Sequence, residues 1–136
     1  MPDTVAVLFA NEAFYRAFAD RDMDLMRECW AHEGTITCIH PGWPALMGRE
    51  AVLMSWERIL ANPESPPVTC RSAEAFVRGE SAVVICYEEV AETYLVATNL
   101  FVREQNRWRM IHHQAGPSPG LPASEDLEPE PPPRVN

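Results

Sequence analysis

The chain predicts an α+β domain: a cone-shaped, curved antiparallel sheet wrapped around three N-terminal helices. Three observations predict it. Apolar residues recur at helical spacing through roughly the first sixty positions, and from Val68 they alternate at strand spacing. The last twenty residues, 117–136, carry seven prolines and four acids and almost no large apolar side chains. That composition cannot offset its ordering entropy, so residues 1–116 are expected to fold and 117–136 to form a disordered acidic, proline-rich tail.

Each element has its own signal. From Thr4 to about Asp20, Val7, Phe14 and Phe18 form one stripe with Ala10 and Ala17 beside it, and Asn11 sits on that stripe as its polar exception. Asp22 is placed to cap a short helix over Met23 to Trp30 that buries Met23, Met26 and Trp30. Thr35 to His40 reads as a strand that breaks at Pro41-Gly42. Gly48 opens a third helix, Arg49 to about Ala61, with Val52, Trp56 and Ile59 inward and Asn62-Pro63 as its stop. Past Pro66-Pro67 come four β-branched and aromatic segments: Val68–Arg78, Ser81–Glu92, Tyr94–Glu104 and Arg107–Ala115. Their separators are short enough for an antiparallel meander.

Composition excludes several functions. The net charge is -9, from 20 acids and 11 bases, and every base is arginine. Without lysine there is no lysine Schiff base, and an acidic surface repels nucleic acid and anionic membranes. The longest apolar stretch is far short of a membrane span, and the N-terminus lacks the pattern of a secretory signal. Cys29, Cys38, Cys70 and Cys86 form no Cys-x-x-Cys pair, so they read as buried free thiols in a reducing cytoplasm. No metal or cofactor framework is visible. Phosphate loops, nucleophile elbows and His-x-x-x-His pairs are absent.

The final segment carries the sharpest signal. Strict alternation from Arg107 places Trp108, Met110, His112 and Gln114 on one face, and Arg107, Arg109, Ile111 and His113 on the other. Trp108 and Met110 mark the first as the core face, which delivers an imidazole and an amide into apolar surroundings. A two-residue loop at Gln105-Asn106 pairs Glu104 with Arg107, Phe101 with Met110 and Asn99 with His112. A two-residue turn at Glu92-Thr93 puts Cys86 and Glu88 on the side of Asn99, and Tyr87 with Glu89 on the opposite side.

Three stretches carry a family resemblance: NEAFYRAFADRDMDLMRECW, CIHPGWPALMGREAVLMSWERIL and RWRMIHHQAGPS. Over roughly residues 5 to 118 the chain resembles a SnoaL-like domain of the nuclear transport factor 2-like superfamily. The resemblance implies the cone with an interior pocket and, in most members, a homodimer. It implies no single activity, because the superfamily spans isomerases, dehydratases, cyclases, epoxide hydrolases and proteins without known activity. Trp108, Met110 and His112 match the family pattern of the last strand. Many relatives have a second histidine where this chain has Gln114, which counts against a two-histidine mechanism and against a metal on that strand.

The candidate catalytic pair is His112 as general base and Glu88 as an inward carboxylate with a raised pKa. The alternatives are a core histidine bonded to Asn99 and a carboxylate at the wet mouth of the sheet. His40 either closes the pocket rim or satisfies turn carbonyls. Asn11, Asn99 and Gln114 are candidates to orient a ligand, and Trp43, Trp56, Phe101 and Trp108 to wall it; Tyr15 reads as a packing residue. A small apolar or mixed-polarity molecule is the expected ligand. Two readings stand: a cofactor-free isomerase, dehydratase or cyclase, or a non-catalytic binding or dimerisation module. Both parities of the middle strands are apolar, so the outer sheet face is expected to form a homodimer.

Overall fold

The computed structural model describes residues 2–122. Its elements are α1 (Asp3–Asp20), α2 (Met23–Cys29), β1 (Thr37–Ile39), β2 (Leu46–Met47), α3 (Arg49–Ala61), β3 (Val68–Arg78), β4 (Ser81–Val90), β5 (Thr93–Glu104) and β6 (Arg107–Ser118). The order in the sheet is β2-β1-β6-β5-β4-β3.

The sheet is mixed rather than purely antiparallel. The meander β3 to β6 forms as expected, but β1 lies parallel to β6 and antiparallel to β2. This covers the β6 edge, which a four-strand meander would leave with unpaired backbone groups. β2, only two residues long, was not anticipated because a strand that short has no period to read. β6 also runs two residues past the expected boundary at 116, since Pro117 and Ser118 pair with Leu95 and Tyr94. Of the rest of the expected tail, residues 119–122 follow without regular structure, and 123–136 lie outside the described residues.

Helix ends follow local chemistry. Asp22 caps α2 by accepting from the Leu25 amide at 3.0 Å. Gly48 precedes α3 with φ 96°, a conformation that favours glycine. α1 ends at Arg21 in the left-handed region, φ 54°. Arg21 then donates to the carbonyls of Leu60, Asn62 and Ser65 at 3.0, 2.6 and 2.8 Å, tying the loop after α3 to the end of α1. Arg49 does the same for the end of α2, donating to the Arg27, Trp30 and Ala31 carbonyls.

The helices pack on the concave face. Phe14 is fully buried and meets Trp30, Trp56, Phe18 and the His113 ring edge-on or tilted, at centroid distances from 5.1 to 6.4 Å. Its removal is the kind of core truncation that costs about 3–5 kcal/mol. Two irregularities bend the sheet over this core, one in β3 between Arg71 and Glu74 and one in β6 between Met110 and His112.

Candidate functional site

The β6 bulge decides which histidine faces inward. Glu104 pairs with Arg107 and Phe101 with Met110, as the two-residue loop predicts. Leu100 then pairs with His112, so Ile111 is an extra residue and the alternation inverts beyond it. His113, not His112, stands opposite Asn99 and is buried. His112 points to the outer face, half-buried, with Nδ1 2.6 Å from Thr37 Oγ1. Gln114 is exposed on that outer face as well.

A chain of hydrogen bonds runs behind His113 and fixes its protons. Tyr15 donates its one hydroxyl proton to Glu88 Oε2 at 2.6 Å. The tyrosine oxygen therefore accepts, at 3.2 Å, from Asn99 Nδ2, which also donates to Asn11 Oδ1 at 2.8 Å. With its NH2 group so committed, Asn99 presents Oδ1 to His113 Nδ1 at 2.6 Å. The proton of neutral His113 consequently sits on Nδ1, and Nε2 keeps its lone pair. That lone pair lies 3.7 Å from Glu88 Oε2.

Burial sets the charges. Both Glu88 and His113 are nearly inaccessible. Burial raises the Glu88 carboxyl above its usual range, against the Tyr15 hydrogen bond, which lowers it. Burial, reinforced by His40 and His112, pushes His113 down to about 3. Burial thus keeps the imidazole of His113 neutral and favours the protonated form of Glu88 more than water would. An ion pair is disfavoured there, because burial penalises both charges.

His40 directly follows β1 and forms a second neutral imidazole. Ser55 donates its hydroxyl proton to the Val52 carbonyl at 2.7 Å, so His40 Nε2, 2.9 Å away, donates to Ser55 Oγ. Burial lowers His40 to about 4. Its ring packs against Trp43 and Trp56 at 4.7 and 4.9 Å.

These groups share a pocket of about 400 Å³. His113, Glu88 and His40 supply its polar surface together with Ser65; Trp43, Trp56, Phe18, Ile59, Leu95 and prolines 41 and 66 make up most of the rest. Trp43 is exposed and stands at the mouth. No arginine lines it, so an anionic ligand meets no counter-charge. Among the described residues no cluster of three or more His, Cys, Asp or Glu is arranged to hold a metal ion.

The expected site residues therefore divide. Glu88, His40, Trp43 and Trp56 line the pocket. Asn11 and Asn99 are buried behind its floor and reach it through Tyr15 and His113. Phe101 is core. Trp108 faces a different groove, between α1, α2 and the β5–β6 turn, with the Arg103 guanidinium 4.8 Å from its ring. Neither wall residue reaches the pocket, because Phe101 on β5 and Trp108 on β6 lie nearer the β5–β6 turn than His113 does. Sequence reasoning missed His113, displaced by the bulge, and Ser55. The one available signal was Ala115, apolar and of the same parity as His113.

Residues 7–118 match the family of the SnoaL-like domain. Among solved structures, a candidate dehydratase of the NTF2-like family from Streptomyces avermitilis is 33% identical, with a TM-score of 0.77 over 85% of this chain and 96% of that one. A candidate calcium/calmodulin-dependent protein kinase type II association domain from Thiobacillus denitrificans is 29% identical, with a TM-score of 0.74 over 80% and 92% of the two chains. The F-box protein SKIP8 of Arabidopsis thaliana is 24% identical over 114 residues, 82% of this chain, which spans about half (49%) of that relative's length.

Proposed function

This chain belongs to the SnoaL-like domain family of the NTF2-like superfamily, and from that premise we propose that it is a cofactor-free acid–base enzyme of the isomerase, dehydratase or cyclase type. One observation carries the reading: an unprotonated imidazole nitrogen and a carboxyl with a raised pKa, 3.7 Å apart, share the wall of a half-open, mainly apolar pocket. The catalytic role expected of His112 passes to His113.

In this reading His113 Nε2 removes a proton from carbon next to a carbonyl. Glu88, protonated, delivers its own to the carbonyl oxygen or to a departing hydroxyl. The pair then holds an imidazolium beside a carboxylate, so proton transfer separates charge inside the dyad without changing the net charge of the buried site. Attraction at that spacing offsets part of the desolvation each ion incurs. Asn99 holds the imidazole, Tyr15 holds the carboxyl, and Trp43 and Trp56 cover a small, neutral, apolar or mixed-polarity substrate.

We also propose a homodimer through the outer sheet face. Val83, Ile85, Tyr87, Val96 and Leu100 lie there only half-buried, and Phe76 is exposed. The association-domain name of one similar structure accords with self-assembly. A reducing cytoplasm fits the free thiols of all four cysteines, and no described helix is long and apolar enough to cross a membrane.

The test needs no knowledge of the natural substrate. A panel of neutral ketones incubated with the protein in D2O is followed by proton NMR for exchange at the carbon next to the carbonyl. At least one should exchange faster than in buffer, and His113→Gln should slow that exchange ~100- to 10,000-fold. Equal exchange by the two proteins would move the reading to a non-catalytic binding module, which the self-satisfied network behind His113 also suits.

A further inference from the structure

We propose that Cys70 and Cys86 form an oxidisable dithiol, a modification site that takes a hydroperoxide through its own opening and converts reversibly to a disulfide. The two residues lie on the inner faces of neighbouring strands β3 and β4. Cys70 pairs with Glu88, so Cys86 is its diagonal neighbour. Both sulfurs contact one donor, Asn11 Nδ2, at 3.8 and 4.0 Å. Cys86 Sγ also lies 3.3 Å from the Tyr15 hydroxyl and 3.7 Å from Asn99 Nδ2.

Access and reactivity divide between the two thiols. A second opening of about 300 Å³ between α1 and β3 is lined by Leu8, Asn11, Glu12, Tyr15, Cys70 and Ala73, and the main pocket is lined by neither cysteine. A small oxidant entering there meets Cys70 first, with Cys86 behind it. Coupling between the two buried thiols holds Cys86 down and Cys70 up, which makes Cys86 the better nucleophile. Closing the bond requires the strands to adjust. β3 is the outermost strand of the sheet and is already irregular beside the pair, where Ser72 has φ 56°.

The chemistry balances with the hydroperoxide as oxidant. Cys86 thiolate attacks the peroxide, breaking O–O and forming S–OH, and the departing oxygen takes up a proton. The Cys70 sulfur then attacks the sulfenic sulfur, S–S forms, and water leaves. Two thiols are oxidised and one peroxide is reduced. The sulfur that moves is the one touching Tyr15 and Asn99, so oxidation should disturb Glu88 and His113.

The full chain, treated with hydrogen peroxide and then alkylated under denaturing conditions, should contain a Cys70–Cys86 crosslinked peptide. Cys29 and Cys38, both buried with thiols pushed up to about 12, should remain alkylatable. Cys70→Ser, or Cys70→Ala should the first fold poorly, should stop at a dimedone-reactive sulfenic acid on Cys86. The His113 side-chain resonances of the wild type should shift on oxidation and return with dithiothreitol. Four alkylatable cysteines after treatment, or oxidation of Cys29 and Cys38 at the same rate, would overturn the proposal, as would unmoved His113 resonances for its link to the site.

Discussion

His113 Nδ1 lies 2.6 Å from Asn99 Oδ1, and through that contact an asparagine on β5 determines which nitrogen of the histidine is free. The asparagine is itself oriented by Tyr15 and Asn11 on α1. One helix face thereby controls the protonation pattern of the pocket wall.

Replacing Asn99 by Ala should cost about 1–3 kcal/mol in chemical denaturation, because the His113 N–H and Asn11 Oδ1 lose buried partners. Asn99→Asp should act differently. A carboxylate at that position stabilises imidazolium, so the His113 pKa, measured by NMR titration, should rise from its depressed value of about 3.

Tyr15→Phe should raise Glu88 further, since the Tyr15 hydrogen bond is what lowers it. If Glu88 acts as the acid, activity falls as pH rises through its pKa, and the alkaline limb of the ketone-exchange profile should move to higher pH in Tyr15→Phe. An unmoved alkaline limb would remove Glu88 from the acid role.

Acid should unfold the protein partly through its buried imidazoles. His113 and His40 are lowered to about 3 and about 4, below the ordinary 6.5. Between those values and 6.5 the unfolded chain binds more protons than the folded one, so stability is full above about pH 6.5 and falls as pH drops below it. Glu88 has the opposite sign: raised in the fold, it opposes stability as pH climbs above its ordinary range. His40→Gln should flatten the decline of melting temperature between pH 6.5 and 4, and a slope equal to wild type would contradict this assignment.

Leu100→Glu places a charge at the centre of the outer sheet face, opposite Val83 and His112. Light scattering should give a dimer for the wild type and a mass near the 15.3 kDa of one chain for the variant. A wild-type monomer at micromolar concentration would refute the interface.

How far the sequence disclosed this arrangement depends on what each signal measures. α3 and β3 have the expected bounds because glycine, proline and apolar period mark both ends. Glu88 is inward with Asn99 as expected, although the β4–β5 turn falls at Ala91-Glu92 instead of Glu92-Thr93. The pairing shifts by two residues, and an even shift preserves the face. The β6 bulge shifts by one, and an odd shift exchanges faces. A single inserted residue leaves the composition of Arg107–Ala115 unchanged, so only Ala115, apolar and of the same parity as His113, marks the exchange of the adjacent histidines. Phe101 and Trp108 share a face with His113 but not a position along the strand, which alternation alone does not report.

The central claim is that His113 is a neutral Nδ1–H imidazole whose free Nε2 faces Glu88. Long-range nitrogen–proton correlation spectra of the protein at pH 7 test it most directly. The expected result is a protonated, pyrrole-type Nδ1 and an unprotonated, pyridine-type Nε2, unchanged on lowering the pH to 5. A protonated Nε2 at pH 7, in either the opposite tautomer or the imidazolium, would contradict it.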